Sequence, residues 1–328
     1  MRIARSRRGA RKPGITRVAA HRDQSVLIVE RALTRIKLAE NFRGVFYAPF
    51  YAAQALGLYR REGIDVEMIS SSIPGDAVNS LLDGAIDITW GGPMRVMKAR
   101  DRDPNSPLVC FCEVVGRDPF YLVGGSDPGA FMLADLQRLR FGAVSEVPTP
   151  WMCLQHDLRE CGIDPDRVRR AADRPMADNL AALRAGELDV AQLFEPYVSI
   201  ALKEGAGVLY AAAARGPTVY TTFITMRQTI ERHRTVFAGI ARALGGTLQW
   251  IAEHGADELA EVTAPFFPGV RPAILASALE RYRRAGIWSP GSAVSRQGFA
   301  RLAESLLSGA FISRLPHYED CVDDTIGR

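Results

Sequence analysis

No apolar run in the sequence approaches the roughly 20 residues that a membrane-spanning helix needs, so a chain of membrane helices is excluded. Cysteine is scarce and odd in number, at five among 328 residues. Cys153, Cys161 and Cys321 are scattered, while Cys110 and Cys112 sit in the strand-like run 108–115, which points both to one face. That spacing suits neither a bridge between them nor the paired ligands of a zinc site. Buried free thiols are expected. Histidine is equally sparse, and His21, His156, His233, His254 and His317 show no metal-ligand spacing. A Walker-type phosphate loop, a G-x-G-x-x-G turn and a G-x-S-x-G elbow are all missing. The reading therefore leans away from an enzyme, with no catalytic residue, metal or cofactor assigned.

Acidic residues are missing from the first 22 positions, which carry Arg2, Arg5, Arg7, Arg8, Arg11, Lys12, Arg17 and Arg22. These eight charges exceed the formal net charge of +4 and leave the other 306 residues at −4. A mildly acidic body predicts no broad nucleic-acid-binding face. An export signal would need an apolar stretch of about 7–15 residues after the basic start. Here Pro13-Gly14 interrupts any such stretch, and Val26-Leu27-Ile28-Val29 is only four residues long. Residues 1–34 are expected to be a disordered basic leader or the product of a start placed too early.

What the sequence does have is core material: 47% hydrophobic and 24% charged residues, the usage of a globular protein. From Arg35 onward, β-like and helix-like segments alternate. Strands are predicted at 36–39, 64–69, 86–90 and 108–115, with helices at 49–59, 76–82 and 93–100 between them. The rhythm restarts with strands at 139–144, 188–194 and 208–213 and helices at 150–160 and 177–185, with Thr149 as N-cap of the first. Such alternation predicts an α/β protein with βαβ units and a mostly parallel sheet.

A weak internal repeat divides the chain. Gly63-Ile64-Asp65 recurs as Gly162-Ile163-Asp164, and Gly84-Ala85-Ile86-Asp87-Ile88 recurs as Gly186-Glu187-Leu188-Asp189-Val190. Two lobes are expected, linked by strands at 119–123 and 219–224: lobe one over 35–118 plus 225–328, and lobe two over 119–224. Beyond the second link, Phe237, Ile240, Leu244, Leu248 and Ile251 form the stripe of an amphipathic helix.

Ligands of open α/β sheets bind beyond the carboxyl ends of the strands, so the residues following each predicted strand are the candidates. After the first strand stand Asn41, Phe46 and Tyr47, after the second Ser72, and after the third Trp90, Gly91 and Gly92. Lobe two contributes Ser145, Glu146, Thr149 and Trp151, then Glu195 and Tyr197, and the returning link adds Thr221. Aromatic rings, hydroxyls, amides and free N–H groups at helix starts suit a small polar or flat ligand. Glu146 and Glu195 are candidates for pairing a ligand amine or amidine, and Arg43 and Arg215 for clamping an anion.

The run Phe46-Tyr47-Ala48-Pro49-Phe50-Tyr51-Ala52-Ala53-Gln54-Ala55-Leu56-Gly57-Leu58-Tyr59, followed by Glu62-Gly63-Ile64-Asp65-Val66-Glu67, resembles the opening of the sulfonate, taurine and nitrate-type substrate-binding proteins. The fungal thiamine-pyrimidine synthases share this opening. Residues 82–87 and 183–189 resemble the superfamily's two leucine, glycine, aspartate segments, so the likeness covers roughly 35–290. It implies a type II periplasmic-binding-protein fold, two α/β lobes on a two-strand hinge, closing on a small molecule in the cleft. For the synthases it implies a cofactor-holding lysine and a histidine four residues on, where this chain has Gly91 and Arg95. It also implies a cysteine-rich run where this chain has residues 215–222. Both departures count against pyrimidine synthesis.

The resemblance thus implies a solute-binding protein of an ABC importer, with a permease as partner and a thiamine-pyrimidine precursor or sulfonate-like anion as ligand. A cytoplasmic enzyme of thiamine-pyrimidine metabolism is the alternative, and a ligand-sensing regulator ranks third. Location stays open between the periplasm implied by the family and the cytoplasm implied by the N-terminus.

Overall fold

The computed structural model describes residues 32–70, 76–125 and 131–326. Most of the expected basic leader, and Ser72, lie outside these residues. From Leu33 onward the chain forms one unit. Nine strands are described: β1 (Thr34–Ala39), β2 (Ile64–Ile69), β3 (Ile88–Gly91), β4 (Leu108–Val115), β5 (Tyr121–Gly124), β6 (Phe141–Gly142), β7 (Val190–Leu193), β8 (Gly207–Ala211) and β9 (Thr221–Met226). The helices preceding β7 are α1 (Ala48–Ala55), α2 (Leu58–Arg61), α3 (Asp76–Leu82), α4 (Met94–Arg102), α5 (Thr149–Glu160) and α6 (Met176–Arg184). Then follow α7 (Tyr197–Lys203), α8 (Arg227–Arg232), α9 (Arg234–Glu253), α10 (Ala256–Thr263), α11 (Pro272–Ala285), α12 (Arg296–Ser308) and α13 (Tyr318–Cys321).

The strands form two sheets, in the orders β2-β1-β3-β9-β4 and β6-β7-β5-β8. Each is the floor of an α/β lobe. The mostly parallel sheet expected from the alternation is not what forms. In the first sheet β1 pairs in parallel with β2 and β3, but β9 enters antiparallel between β3 and β4. In the second, only β6 and β7 are parallel. The reason is the double crossing: a strand returning from the other lobe re-enters the first sheet in the opposite sense. The crossings lie side by side, with Thr218 N–H on Gly116 O at 2.8 Å and Tyr220 N–H on Val115 O at 2.8 Å.

The internal repeat has a shared structural cause. In both copies a helix ends at a glycine in the left-handed conformation, Gly84 (φ 71°) and Gly186 (φ 69°). Three residues on, an aspartate clips the next strand. Asp87 N–H donates to Lys37 O at 3.0 Å while its carboxylate accepts from Lys37 N–H at 2.8 Å. Asp189 repeats this on Arg140, at 2.9 and 2.7 Å. The regular strands begin just past each aspartate, later than periodicity predicts, because the clip occupies the entry.

Two other local expectations change. The helix predicted over 49–59 breaks at Gly57 (φ 67°) into α1 and α2. Cys110 and Cys112 do not share a face: Cys112 sits at φ 51° beside an irregularity between Phe111 and Glu113. The slip breaks the two-residue alternation, so Cys110 packs under α4 and α12 while Cys112 packs with Phe111 in the main core. The α9 stripe behaves as predicted, with Phe237, Ile240, Leu244, Leu248 and Ile251 all buried.

Candidate functional site

β3 ends at Gly91, and α4 begins three residues later with no side-chain cap and no acidic residue in its first turn. α5 likewise starts uncapped behind Pro148. Thr149 is therefore the first helical residue and not the N-cap that the sequence predicts. Both helix starts, with their positive dipole ends, border one cavity of about 20 Å³ between the lobes, about the space of one water.

Five of the sequence candidates meet at this cavity: Asn41, Phe46, Tyr47, Gly92 and Thr149. Gly92 lies so close to Tyr220 O and the Met94 side chain, at 3.5 and 3.3 Å from a built Cβ, that a larger residue would crowd the opening. Burial pushes the Tyr47 hydroxyl up to about 12, with Asn41 opposing. Phe42, Phe120 and Tyr220 complete much of the wall. The Tyr220 hydroxyl is buried without a hydrogen-bond partner.

Sequence reasoning missed the residue that dominates the electrostatics. Arg95, in the first turn of α4, is half-buried, and its Nη2 donates to Asn41 Oδ1 at 3.2 Å. No carboxylate pairs with it among the described residues. Burial holds its guanidinium below the usual arginine value. A signal was present: a cation in the first turn of a helix opposes the helix dipole, and this one follows directly on a strand end.

The other candidates are placed elsewhere. Trp90 is fully buried, stacked on Phe50 at 4.4 Å and 4°, so it presents no face to a ligand. Gly91 lies in β3 with its built Cβ 3.7 Å from Arg95 Nε. Thr221 is fully buried at the start of β9. Trp151 packs into the core of the second lobe beneath Arg170, at 4.5 Å, and beside Phe141. Ser145 is exposed.

Glu195 is fully buried and saturated by protein groups. It accepts from Ser199 N and Oγ, each at 2.9 Å, and from Arg281 Nε at 2.7 Å. Burial raises its pKa, opposed by Ser199 and Arg281. Arg43 pairs with Glu40 at 2.6 Å, and the buried Arg215 is held by Asp118 and Asp157. Neither is left to clamp an anion. Glu146 and Tyr197 line a neighbouring chamber of about 360 Å³.

A larger cavity, about 820 Å³, lies at the far end of the second sheet. Its charged walls are neutralised within the protein, Arg138 by Asp135, Arg184 by Glu204 and Asp189 by Arg140. Among the described residues no group of three or more His, Cys, Asp or Glu is placed to hold a metal ion, and no helix is long and apolar enough to cross a membrane.

Comparison with known proteins follows the same lines. A family model described as NMT1/THI5 like matches residues 46–257. YtlA of Bacillus subtilis (strain 168), named for a binding role, is 26% identical over 265 residues, covering 80% of this chain and 79% of YtlA. The periplasmic aliphatic sulphonate binding protein SsuA from Escherichia coli superposes with a TM-score of 0.72 at 15% identity, covering 89% of this chain and 98% of SsuA. The alkanesulfonate-binding SsuA from Xanthomonas axonopodis pv. citri, solved with MOPS bound, gives 0.65 at 16% identity, over 88% and 95% of the two chains. The fold is thus that of the periplasmic binding proteins: two α/β lobes joined by a two-strand hinge.

Proposed function

The chain belongs to the NMT1/THI5-like family, and from that premise we propose that it is a small-molecule binding protein that delivers its ligand to an ABC-type importer. The ligand is a sulfonate-like anion held between the lobes. The observation that carries this reading is Arg95, a half-buried cation with no carboxylate partner among the described residues, at the wall of the interlobe cavity. An arginine taken from water without a counter-charge is costly. A bound anion removes that cost by charge-assisted hydrogen bonds. The starts of α4 and α5 and the unpartnered Tyr220 hydroxyl add donors for the remaining anion oxygens.

A thiamine-pyrimidine precursor is less well served. Stacking on Trp90 and pairing with Glu195 would suit such a ring, but protein groups already occupy both side chains. For either ligand the cavity of about 20 Å³ is far below the roughly 300 Å³ at which organic-ligand pockets begin. Loading therefore requires the lobes to part about the crossings at 116–120 and 216–220 and to close again on the ligand, which favours the closed state by its contacts to both.

A thermal-shift panel of alkanesulfonates, nitrate and an aminopyrimidine thiamine precursor tests the ligand class. At 100 times its dissociation constant a ligand adds about 2.7 kcal/mol, a shift of a few degrees at this size. Stabilisation by alkanesulfonates is expected. Stabilisation by the aminopyrimidine alone would overturn the anion reading.

A further inference from the structure

Helix α11 is fastened to one lobe at its C-terminal end and reaches from there into the other. Just past the helix, Gly116 N–H donates to Ile287 O at 2.8 Å and Ser289 N–H donates to Val114 O at 3.0 Å. Residues 287–289 thus run beside the end of β4 in the first sheet, with Trp288 bridged to Val115. The Trp288 indole N–H adds a bond to Phe46 O at 2.9 Å, in the turn that leads into α1.

From this fastened end, two consecutive residues meet Glu195, which follows β7 in the second lobe. Arg281 Nε donates to Glu195 Oε1 at 2.7 Å, and Glu195 N–H donates to the Tyr282 hydroxyl at 2.9 Å. Side chain and backbone of one buried residue are therefore both held from across the lobes. Ser199 supplies donors from Glu195's own lobe, and the Tyr121 hydroxyl of β5 lies near without a hydrogen-bond partner. α11 also packs on α7 of the second lobe. Apolar packing tolerates a small slide, whereas hydrogen bonds need a set distance and angle.

Neither Arg281 nor Tyr282 lines the interlobe cavity. If the first lobe carries α11 away on opening, the Glu195 carboxylate loses the cation that pairs with it and its N–H loses an acceptor, while water gains access to both. Reclosing buries the carboxylate again, and burying a charge is tolerable only with its partner in place. Resting on the reading of a cleft that opens and closes on its ligand, we infer that Arg281 and Tyr282 are positioning residues. They fasten Glu195 and hold the lobes shut without touching the ligand. Their effect on affinity comes through the fraction of molecules that are closed.

Pulsed electron resonance between two nitroxide labels reads the opening directly. One label sits on Cys161, exposed in the second lobe, and one on Glu67→Cys, at an exposed position of β2; the other four cysteines are buried. Arg281→Gln is expected to add a second distance that saturating butane-1-sulfonate removes, and to weaken binding of that sulfonate about fivefold or more. Tyr282→Phe keeps the ring, removes the acceptor, and should move both readouts the same way by less. A residue serving stability alone would lower the melting temperature and leave the distances of the folded protein unchanged. That outcome in Arg281→Gln, or in Tyr282→Phe should the first variant not fold, would overturn the fastening. A shifted distance in a protein that binds no sulfonate would keep the fastening and overturn the anion reading instead.

Discussion

At the scale of single residues, what decides function is which charges the fold has left without a partner. Arg43, Arg215 and Glu195 look equally available in the sequence, yet Arg43 is neutralised by Glu40 one turn away, and the other two by groups distant along the chain, such as Arg281 for Glu195, 86 residues away. Local sequence carries no sign of the two distant pairings. Arg95 is the reverse case, passed over in the sequence and unpaired in the fold. Glu113 shows how burial without a cation affects stability. It accepts from Ser289 Oγ at 2.5 Å and Ser295 N–H at 2.8 Å, tying β4 to the segment before α12. Burial raises its pKa above the ordinary 4.5 despite these bonds. The folded state therefore holds this proton more tightly than the unfolded chain, and its contribution to stability is present below about 4.5 and lost as pH rises through the folded value. Urea unfolding between pH 4 and 8 should show a downward slope from this group that Glu113→Gln removes. Parallel slopes for the two proteins would contradict it.

At the scale of elements, the legible features were those with a local cause. The α9 stripe, the helix starts at prolines and the glycine-aspartate repeat all follow from residues within a turn or two of one another. The Asp189 clip is the clearest of these. Arg140 and its backbone N–H hold the Asp189 carboxylate down to about 2, so its contribution to stability is present above the ordinary 3.8 and is lost as pH falls through about 2. Asp189→Ala is expected to destabilise the second lobe by about 1 kcal/mol at neutral pH, with the difference from the parent protein shrinking as pH falls toward 2. Equal unfolding midpoints at pH 7 would remove the clip from the account. What periodicity could not reveal was non-local. The antiparallel insertion of β9 depends on a strand 106 residues beyond β4 in chain order returning between two others. The slip at Cys112 depends on a positive φ in a residue other than glycine, which no composition rule anticipates.

At the scale of the whole molecule, strand-end logic gathered five residues that the fold brings to the interlobe cavity but could not sort its candidates by depth. Tyr47 and Trp90 both stand at or beyond a strand end and are both aromatic, yet one lines the cavity and the other lies stacked beneath it. That distinction is set by how the two lobes and the helices behind them pack. The central claim, that the interlobe cleft holds an anion against Arg95, is tested most directly by calorimetric titration of butane-1-sulfonate into the parent protein and into Arg95→Gln. The account predicts a loss of affinity of at least tenfold, about 1.4 kcal/mol, with the melting temperature of the unliganded protein preserved or raised. Equal affinities in the two proteins would contradict it.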